Sequence, residues 1–535
     1  MAIENDGLRS TIWLRPFLVL LAAAILLFCL SFFADQWLLG RPRSFVDLLF
    51  SPHSESAANT LGNVAEVVAA VLGVAITVVA IIVELAANRY TSRITGLFFR
   101  DPVNFAVMGF FVLSCVQCMW VILEFDPLFT PRVGTAVTMV MMTLSLLVLL
   151  PYFAYVFAFL DPEAVIDRIR ADANRSISGL DPSSPARRIV EAQRLSTQAV
   201  DQISDISVNA IDKKDKGIST AAVDTLVELL FRYLEGKRGL PDAWFRMSEE
   251  IARDPAFISM SQRVLSEIGE RGVWLEMKVL REYETIYAET LNETREINYR
   301  VAINTRQLAE RAIGAKDPEV VELTLKFFNT YLRATINAGD VRTGYNVLNQ
   351  YRLLGEAALA GGNVDRVIQI AGYLEYYGRT AYGSQLPFLL EVVAYDVCNL
   401  CEKAHASKSA AHEPLLATVL DLGKESGTQA QEQSLRGVRK AQVKLAAYYL
   451  TEGDGASARR IYEEMAGEPP ARLASIRDEL LAVESRDFWE IIDRGTNLDY
   501  LPPSQKAHVV DFFRWFEDRI HSRAETESDS TGYTS

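Results

Sequence analysis

The chain of 535 residues is 50% hydrophobic and 23% charged, with a formal net charge of −14 at pH 7. It is longer than one small domain, and its long apolar runs fall within residues 1–160, which predicts a membrane region followed by a soluble region. The acidic balance argues against a nucleic-acid partner, because contacts with a phosphate backbone need clustered lysine and arginine.

Four apolar segments are long enough to cross a lipid bilayer, which requires about 20 residues in a helix. A cleaved signal peptide is the alternative for the first segment, but its apolar core is longer than that of a typical signal peptide. The fourth segment contains Pro151. The predicted spans are at about residues 14–36, 64–87, 103–124 and 133–160.

The placement of arginine predicts the orientation of these spans. Arginines occur between the second and third spans and again at Arg168 and Arg170 after the fourth, whereas the third-to-fourth link has Arg132 alone. Cytoplasmic loops of membrane proteins are enriched in positive charge. The sequence therefore predicts a multi-pass protein of the bacterial inner membrane with both termini in the cytoplasm.

The link between the second and third spans has the features of an elbow at the cytoplasmic membrane interface. Its arginines can reach anionic headgroups, and its phenylalanines can lie between the headgroups and the acyl chains. The residues assigned to this membrane-interface elbow are Arg89, Arg93, Phe98, Phe99 and Arg100.

One face of the second span carries small or polar residues along its whole length. Their spacings of three and four place them on one side of a helix, with a carboxylate near each end. Two interpretations stay open: a seam where small residues let another helix approach closely, or the lining of a cation pore formed by several copies. This span-two stripe consists of Glu66, Ala69, Gly73, Thr77, Ala80 and Glu84.

After the fourth span the apolar residues recur at helical spacing, without the alternation typical of strands. The predicted fold class is therefore all-α, with a transmembrane domain followed by a cytoplasmic helical domain. The predicted divisions are a transmembrane domain at 1–160, a helical connector at 161–240, a helical-repeat domain at 241–523 and a disordered tail at 524–535.

Weak internal repetition appears in segments that begin at Asn337, Ala360 and Thr451. In each, a helix ends at glycine, and an Asp or Asn then starts a second amphipathic helix. The last segment resembles a tetratricopeptide hairpin. Stacked hairpins of this kind predict an α-solenoid, whose surface usually binds peptides or proteins. The alternative is a plain helical bundle that supports the membrane part.

The strongest candidate for metal chemistry is the group Cys398, Cys401, His405 and His412. The segment is interpreted as one continuous helix, in which Cys398 and His412 would be about 21 Å apart and could not share a zinc ion. Motifs for a nucleophile, a phosphate-binding loop or a metalloprotease are not found. The prediction is therefore no catalytic residue, no metal and no cofactor, and the chain is not expected to be an enzyme.

The segment around the elbow resembles the bacterial predicted membrane proteins grouped as domain of unknown function 2254, over about residues 64–230. A fainter similarity continues into the turn at 212–217, where the family has a proline that this chain lacks. The resemblance implies a four-span inner-membrane protein and carries no established activity. The matching positions are Ala86, Ala87, Asn88, Tyr90, Arg93, Phe99, Arg100, Asp101 and Asn104.

Two functional hypotheses follow. In the first, the membrane part anchors a helical-repeat scaffold or adaptor that binds a cytoplasmic protein partner. In the second, the protein is a homo-oligomeric cation channel or transporter with the second span lining its pore. Both place the chain in the lipid bilayer.

Overall fold

A computed structural model describes residues 54–89, 98, 101–123, 125, 131–423, 429–488 and 494–531. Every regular element in these ranges is a helix, which confirms the all-α prediction for the part described. The chain divides into two compact units between Ile169 and Arg170.

Three long apolar helices occupy the first unit. They are α1 (Ser54–Arg89), α2 (Pro102–Leu123) and α3 (Arg132–Phe159), and α4 (Pro162–Ser178) follows. Within them, Asn59–Ala86, Pro102–Leu123 and Val133–Phe159 are long and apolar enough to span a membrane. Helices therefore stand where the second, third and fourth spans were predicted, and Pro151 lies inside α3. The predicted span at 14–36 lies outside the described residues.

The three helices pack on one another through a small core that includes Leu61, Val68, Cys118 and Met142. Large apolar side chains such as Trp120 remain exposed on the outside, as expected for helices in contact with lipid.

The second unit contains shorter helices. Their bounds are α5 (Ala186–Asp212), α6 (Lys216–Gly236), α7 (Asp242–Phe245), α8 (Glu249–Ala252), α9 (Gln262–Arg271), α10 (Trp274–Thr290), α11 (Arg295–Ala315), α12 (Pro318–Asn337), α13 (Val341–Ala360), α14 (Val364–Gly383), α15 (Pro387–Ala406), α16 (His412–Leu422), α17 (Gln429–Thr451), α18 (Gly455–Met465), α19 (Pro470–Ala482) and α20 (Pro503–Thr531).

The long helices of this unit form two layers. In the first layer α6, α11, α13, α15, α17 and α20 contact one another in that order, and in the second layer α5, α10, α12, α14 and α16 do so. From α10 to α17 the chain alternates between the layers. Each helix therefore packs on its chain neighbours and on the helix after next.

One type of turn recurs between these helices. At α17–α18, Gly453 has φ +79°, the Asp454 N–H donates to the Tyr449 carbonyl at 2.8 Å, and the Asp454 side chain accepts from the Ser457 N–H at 3.1 Å. The predicted turns after Asn337 and Ala360 have the same geometry, so this part of the sequence analysis is confirmed. The left-handed residue and the capping residue are Lys214–Asp215, Lys316–Asp317, Gly339–Asp340, Gly362–Asn363 and Gly453–Asp454.

The C-terminal helix is longer than the sequence suggested. Helix α20 continues to Thr531, so residues 524–531 are helical where a disordered tail was predicted. Ala524, Glu525 and Glu527 in this stretch favour helix, and the polar composition alone did not exclude it.

A buried lysine joins the irregular segment after α8 to the two-layered stack. The Lys278 side chain is 1% exposed, and its Nζ lies 2.6 Å from Asp201 and 2.8 Å from both Asp254 and Glu282. Ser204 donates to Glu282 at 2.7 Å. Three carboxylates from separate parts of the unit therefore depend on one cation.

We predict that Lys278→Met lowers the free energy of unfolding by about 3 kcal/mol, because it leaves buried carboxylates without their cation. Unfolding of the purified full-length protein by urea can be followed by the fluorescence of Trp244 and Trp274, which are both fully buried. The matched control is Lys216→Met, which breaks an exposed ion pair with Glu296 and should cost less than about 0.5 kcal/mol. Equal losses in the two variants would contradict the prediction.

Candidate functional site

The elbow before α2 is held by a capping carboxylate. Asp101 accepts hydrogen bonds from the N–H groups of Val103 at 3.0 Å and Asn104 at 3.2 Å, which caps the start of α2. The hydroxyl of Tyr155 donates to the same carboxylate at 2.6 Å. Since Tyr155 belongs to α3, the cap also ties two apolar helices together.

A second polar contact reinforces this joint. The Asn104 side chain donates to the Phe98 carbonyl at 3.3 Å, and the hydroxyl of Tyr152 donates to the Asn104 carbonyl oxygen. Asp101 and Asn104 are two of the positions that carry the family resemblance. Within the described residues their visible role is therefore to fasten the elbow to α3.

The structure places Phe98 differently from the sequence expectation. Phe98 is 2% exposed and meets Phe159 edge to face, with 5.5 Å between ring centroids, so it packs inside the protein instead of lying in the lipid interface. Arg89 is the last residue of α1. The other elbow residues, Arg93, Phe99 and Arg100, lie outside the described residues.

The span-two stripe does not face the neighbouring apolar helices. All six of its residues are exposed, while α1 packs on α2 and α3 through another face that contains Leu61, Val68 and Val79. The two faces are separated by roughly a third of the helix circumference. The hydroxyl of Thr77 donates to the Gly73 carbonyl at 2.9 Å within its own helix. The stripe is therefore not a seam with α2 or α3.

The cysteine and histidine group is arranged differently from the sequence interpretation. The helix predicted for residues 391–406 is present, but it ends at Ala406. Lys408 adopts φ +52° and His412 begins the next helix, so the assumption that the first helix continues to His412 was wrong. The ring centroids of His405 and His412 are 5.0 Å apart.

These side chains form hydrogen bonds with tyrosines of α17. His412 Nε2 lies 2.7 Å from the Tyr449 hydroxyl, and Cys401 Sγ lies 3.1 Å from it. His405 Nδ1 lies 3.2 Å from the Tyr448 hydroxyl. Among the described residues, no group of three potential ligands is placed to hold a metal ion.

The most elaborate polar site of the second unit lies where residues 494–499, hereafter the crossing segment, run over the first layer. This segment has no helix and contacts α13, α15 and α17 in turn. At its start the Arg494 guanidinium donates to the Asp396 carboxylate at 3.1 Å and to the Tyr345 carbonyl at 2.8 Å. The guanidinium also lies 4.2 Å from the centre of the Tyr345 ring.

The other end of the crossing segment is held by α15 and α17. The Asp499 carboxylate accepts from Lys440 Nζ at 2.9 Å and from the Tyr395 hydroxyl. Lys444 Nζ donates to the Leu498 carbonyl. Two charged anchors, five residues apart, therefore fix an otherwise irregular stretch of chain.

Two cavities flank the crossing segment. One, of about 800 Å³, is lined by residues of α13, α15 and α17 that include Arg352 and Glu402. The other, of about 560 Å³, is lined by Tyr345 and Phe388 together with the segment itself. The segment therefore fills only part of the space over these helices.

The charges along this site are strongly desolvated. Asp396 is 2% exposed and is shared by Arg494 and by Arg352, whose Nε lies 3.3 Å away. Burial raises the pKa of Glu402 to about 7, although Lys444 and Lys403 oppose the shift. Burial likewise raises the pKa of Glu391 to about 7. The carboxylates of α15 are therefore paired or partly protonated near neutral pH.

No motif or spacing in the sequence marks Arg494, Asp396 or Asp499 as functional. The available signal was Asp396 itself, a charge inside the apolar run EVVAYDVCNL that would need a partner once buried. The partner stands 98 residues away in sequence, and the pattern of a single chain cannot identify it.

We predict that Glu402→Gln changes how stability depends on pH. A carboxyl whose pKa is raised on folding contributes stability that is present below its unfolded pKa and lost as the pH rises through about 7. The variant lacks this loss. When the pH rises from 5 to 8, its free energy of unfolding should therefore increase by about 2 kcal/mol relative to that of the parent protein. Urea unfolding of the full-length protein at both pH values measures the difference.

The control for this prediction is Glu463→Gln, at an exposed position of α18. Glu391, whose pKa is also raised to about 7, is present in the parent and in both variants, so its effect on the pH dependence of stability is the same in all three proteins. A pH response of Glu402→Gln equal to that of the control would contradict the prediction.

Part of the chain is similar to a known family of proteins. Residues 9–233 match a family model described as predicted membrane protein, domain of unknown function 2254, a range that includes α1 to α5 and most of α6. No curated protein and no solved structure matches the chain. The family match confirms the resemblance that the sequence shows over about residues 64–230 and extends it towards the N-terminus, to residue 9.

Proposed function

We propose that the protein is a membrane-anchored helical-repeat scaffold whose second unit binds a protein partner in the cytoplasm. The observation that carries this proposal is the repeated order of the two layers, in which successive helices from α10 to α17 alternate between the layers and one type of turn recurs. Stacks of this kind are α-solenoids, and they present extended surfaces that bind peptides or proteins. The role has no catalytic step.

The solenoid of this proposal is irregular, not a strict tetratricopeptide array. Helix α16 has 11 residues, whereas α12 to α15 have 20 each. The short helices α7 and α8 interrupt the pattern before α9. The anchoring membrane is proposed to be the bacterial inner membrane, with both termini on the cytoplasmic side, on the basis of the arginine distribution.

We expect a specific partner to be captured from one layer of the solenoid. A photo-crosslinking amino acid can replace Phe388 of the first layer or Tyr376 of the second, which are 43% and 52% exposed, in the full-length protein within its own membranes. Partner binding should give a discrete adduct, identifiable by mass spectrometry, from one of these layers. Ile258, 68% exposed and outside both layers, is the control position. Adducts absent from both layers, or identical at Ile258, would contradict the scaffold proposal.

A second candidate function is a homo-oligomeric cation channel or transporter. The observation that favours it is the exposure of Glu66, Gly73 and Glu84 on α1, on a face that α2 and α3 leave uncovered. Copies of the chain meeting through this face would place rings of carboxylates near both ends of a pore. A seam between copies is the alternative use of the same face.

Conductance of the purified protein in planar bilayers, under voltage and under membrane tension, separates these uses. A pore predicts a cation current that falls in Glu84→Gln, because the ring of charge at one mouth is removed. Glu163→Gln, at an exposed position of α4, should leave that current unchanged. Silence from correctly inserted protein under both stimuli would leave the stripe as a packing surface.

A further inference from the structure

We propose that the face of α13, α15 and α17 beneath the crossing segment is the docking groove for the protein partner. Its ligand is an extended peptide with an arginine five residues before an acidic residue, and the chain's own residues 494–499 occupy the groove as an internal ligand. This inference rests on the scaffold function proposed above and names the site and the chemistry of its ligand.

The crossing segment contacts the groove through side chains and one backbone carbonyl, as a bound peptide would. Its contacts with the groove are an arginine to Asp396, an acidic side chain to Lys440 and a backbone carbonyl to Lys444. Thr496, Asn497 and Leu498 between the anchors remain partly exposed. A peptide from another protein could supply the same groups in the same order.

The groove is larger than the segment that lies in it. The cavities of about 800 and 560 Å³ on its two sides are within the range of ligand-binding pockets. Phe388 lines the smaller cavity and is 43% exposed, so an apolar side chain of a longer ligand has a surface to contact. The additional contacts give a partner a means to displace the internal ligand.

The charged and aromatic side chains of the groove select for arginine at one position of the ligand. Asp396 is buried, and the ring of Tyr345 lies where a guanidinium can stack on it while it binds the carboxylate. Guanidinium is suited to both contacts at once, whereas a lysine ammonium is not. At the other end Lys440 and Tyr395 favour an acidic residue.

A matched pair of variants tests the proposal in the purified full-length protein. Arg494→Gln removes the arginine anchor of the internal ligand and leaves the groove side chains unchanged, whereas Asp396→Asn breaks the same ion pair by altering the groove. The probe is a fluorescein-labelled peptide of residues 493–500, DRGTNLDY, and the readout is fluorescence anisotropy. The control peptide has glutamine in place of arginine.

The expected result is that Arg494→Gln binds the probe at least about tenfold more tightly than the parent protein, because the tethered competitor, at millimolar effective concentration, has lost its arginine anchor and no longer occupies the Asp396 position. Asp396→Asn should show no gain, and the control peptide should bind neither variant. No gain in Arg494→Gln, or an equal gain in both variants, overturns the proposal.

Circular dichroism checks that each variant is folded. If Asp396→Asn does not fold, Lys440→Gln in the Arg494→Gln background takes its place, and it should weaken probe binding by removing the partner of the acidic residue. A crosslinked partner together with a silent probe overturns this groove and leaves the scaffold function standing. Probe binding without any crosslinked partner supports the groove and contradicts the scaffold role.

Discussion

A helical hairpin cannot bury its apolar face alone, and the order of the helices from α10 to α17 follows from that constraint. Each helix between α10 and α17 packs on its chain neighbours and on the helix after next, so the hydrophobic core runs the length of the stack. At the turns before α12, α13 and α14 a left-handed residue and an Asp or Asn cap satisfy the backbone groups at both helix ends. At the α5–α6 turn Lys214 adopts φ +59° and Asp215 supplies the cap.

The membrane helices are subject to a different constraint. Lipid chains are as apolar as leucine, so burial of apolar surface gives these helices little reason to associate, and hydrogen bonds and close packing must specify which faces meet. The contacts of Asp101 and Asn104 with Tyr155 and Tyr152 do this at the elbow. Positions that look like a functional signature in the sequence are, in the described residues, the joint between two spans.

The sequence predicted what depends on local pattern. Apolar runs located the second to fourth spans, and the Gly–Asp and Gly–Asn pairs located turns that the structure contains. The sequence pattern did not predict conformations and contacts that depend on residues far away in the chain. Lys408 adopts a left-handed conformation that glycine usually takes, so the reversal between His405 and His412 had no glycine to mark it. Phe98 looked like an interfacial aromatic because its partner Phe159 lies at the end of another span. The stripe was visible as a pattern, but its orientation depends on which face of α1 the other helices cover.

The contacts around Asp396 explain how one segment could leave without unfolding the stack. A buried carboxylate needs a cation, and losing its last partner is costly. Arg494 belongs to the crossing segment, but Arg352 belongs to α13 and stays beside Asp396 when that segment moves. Arg352 is also paired with Glu356 one turn along its own helix, so it is held in place independently. The first layer therefore keeps a cation at this carboxylate in either state, and the exchange of one arginine ligand for another leaves the buried charge compensated.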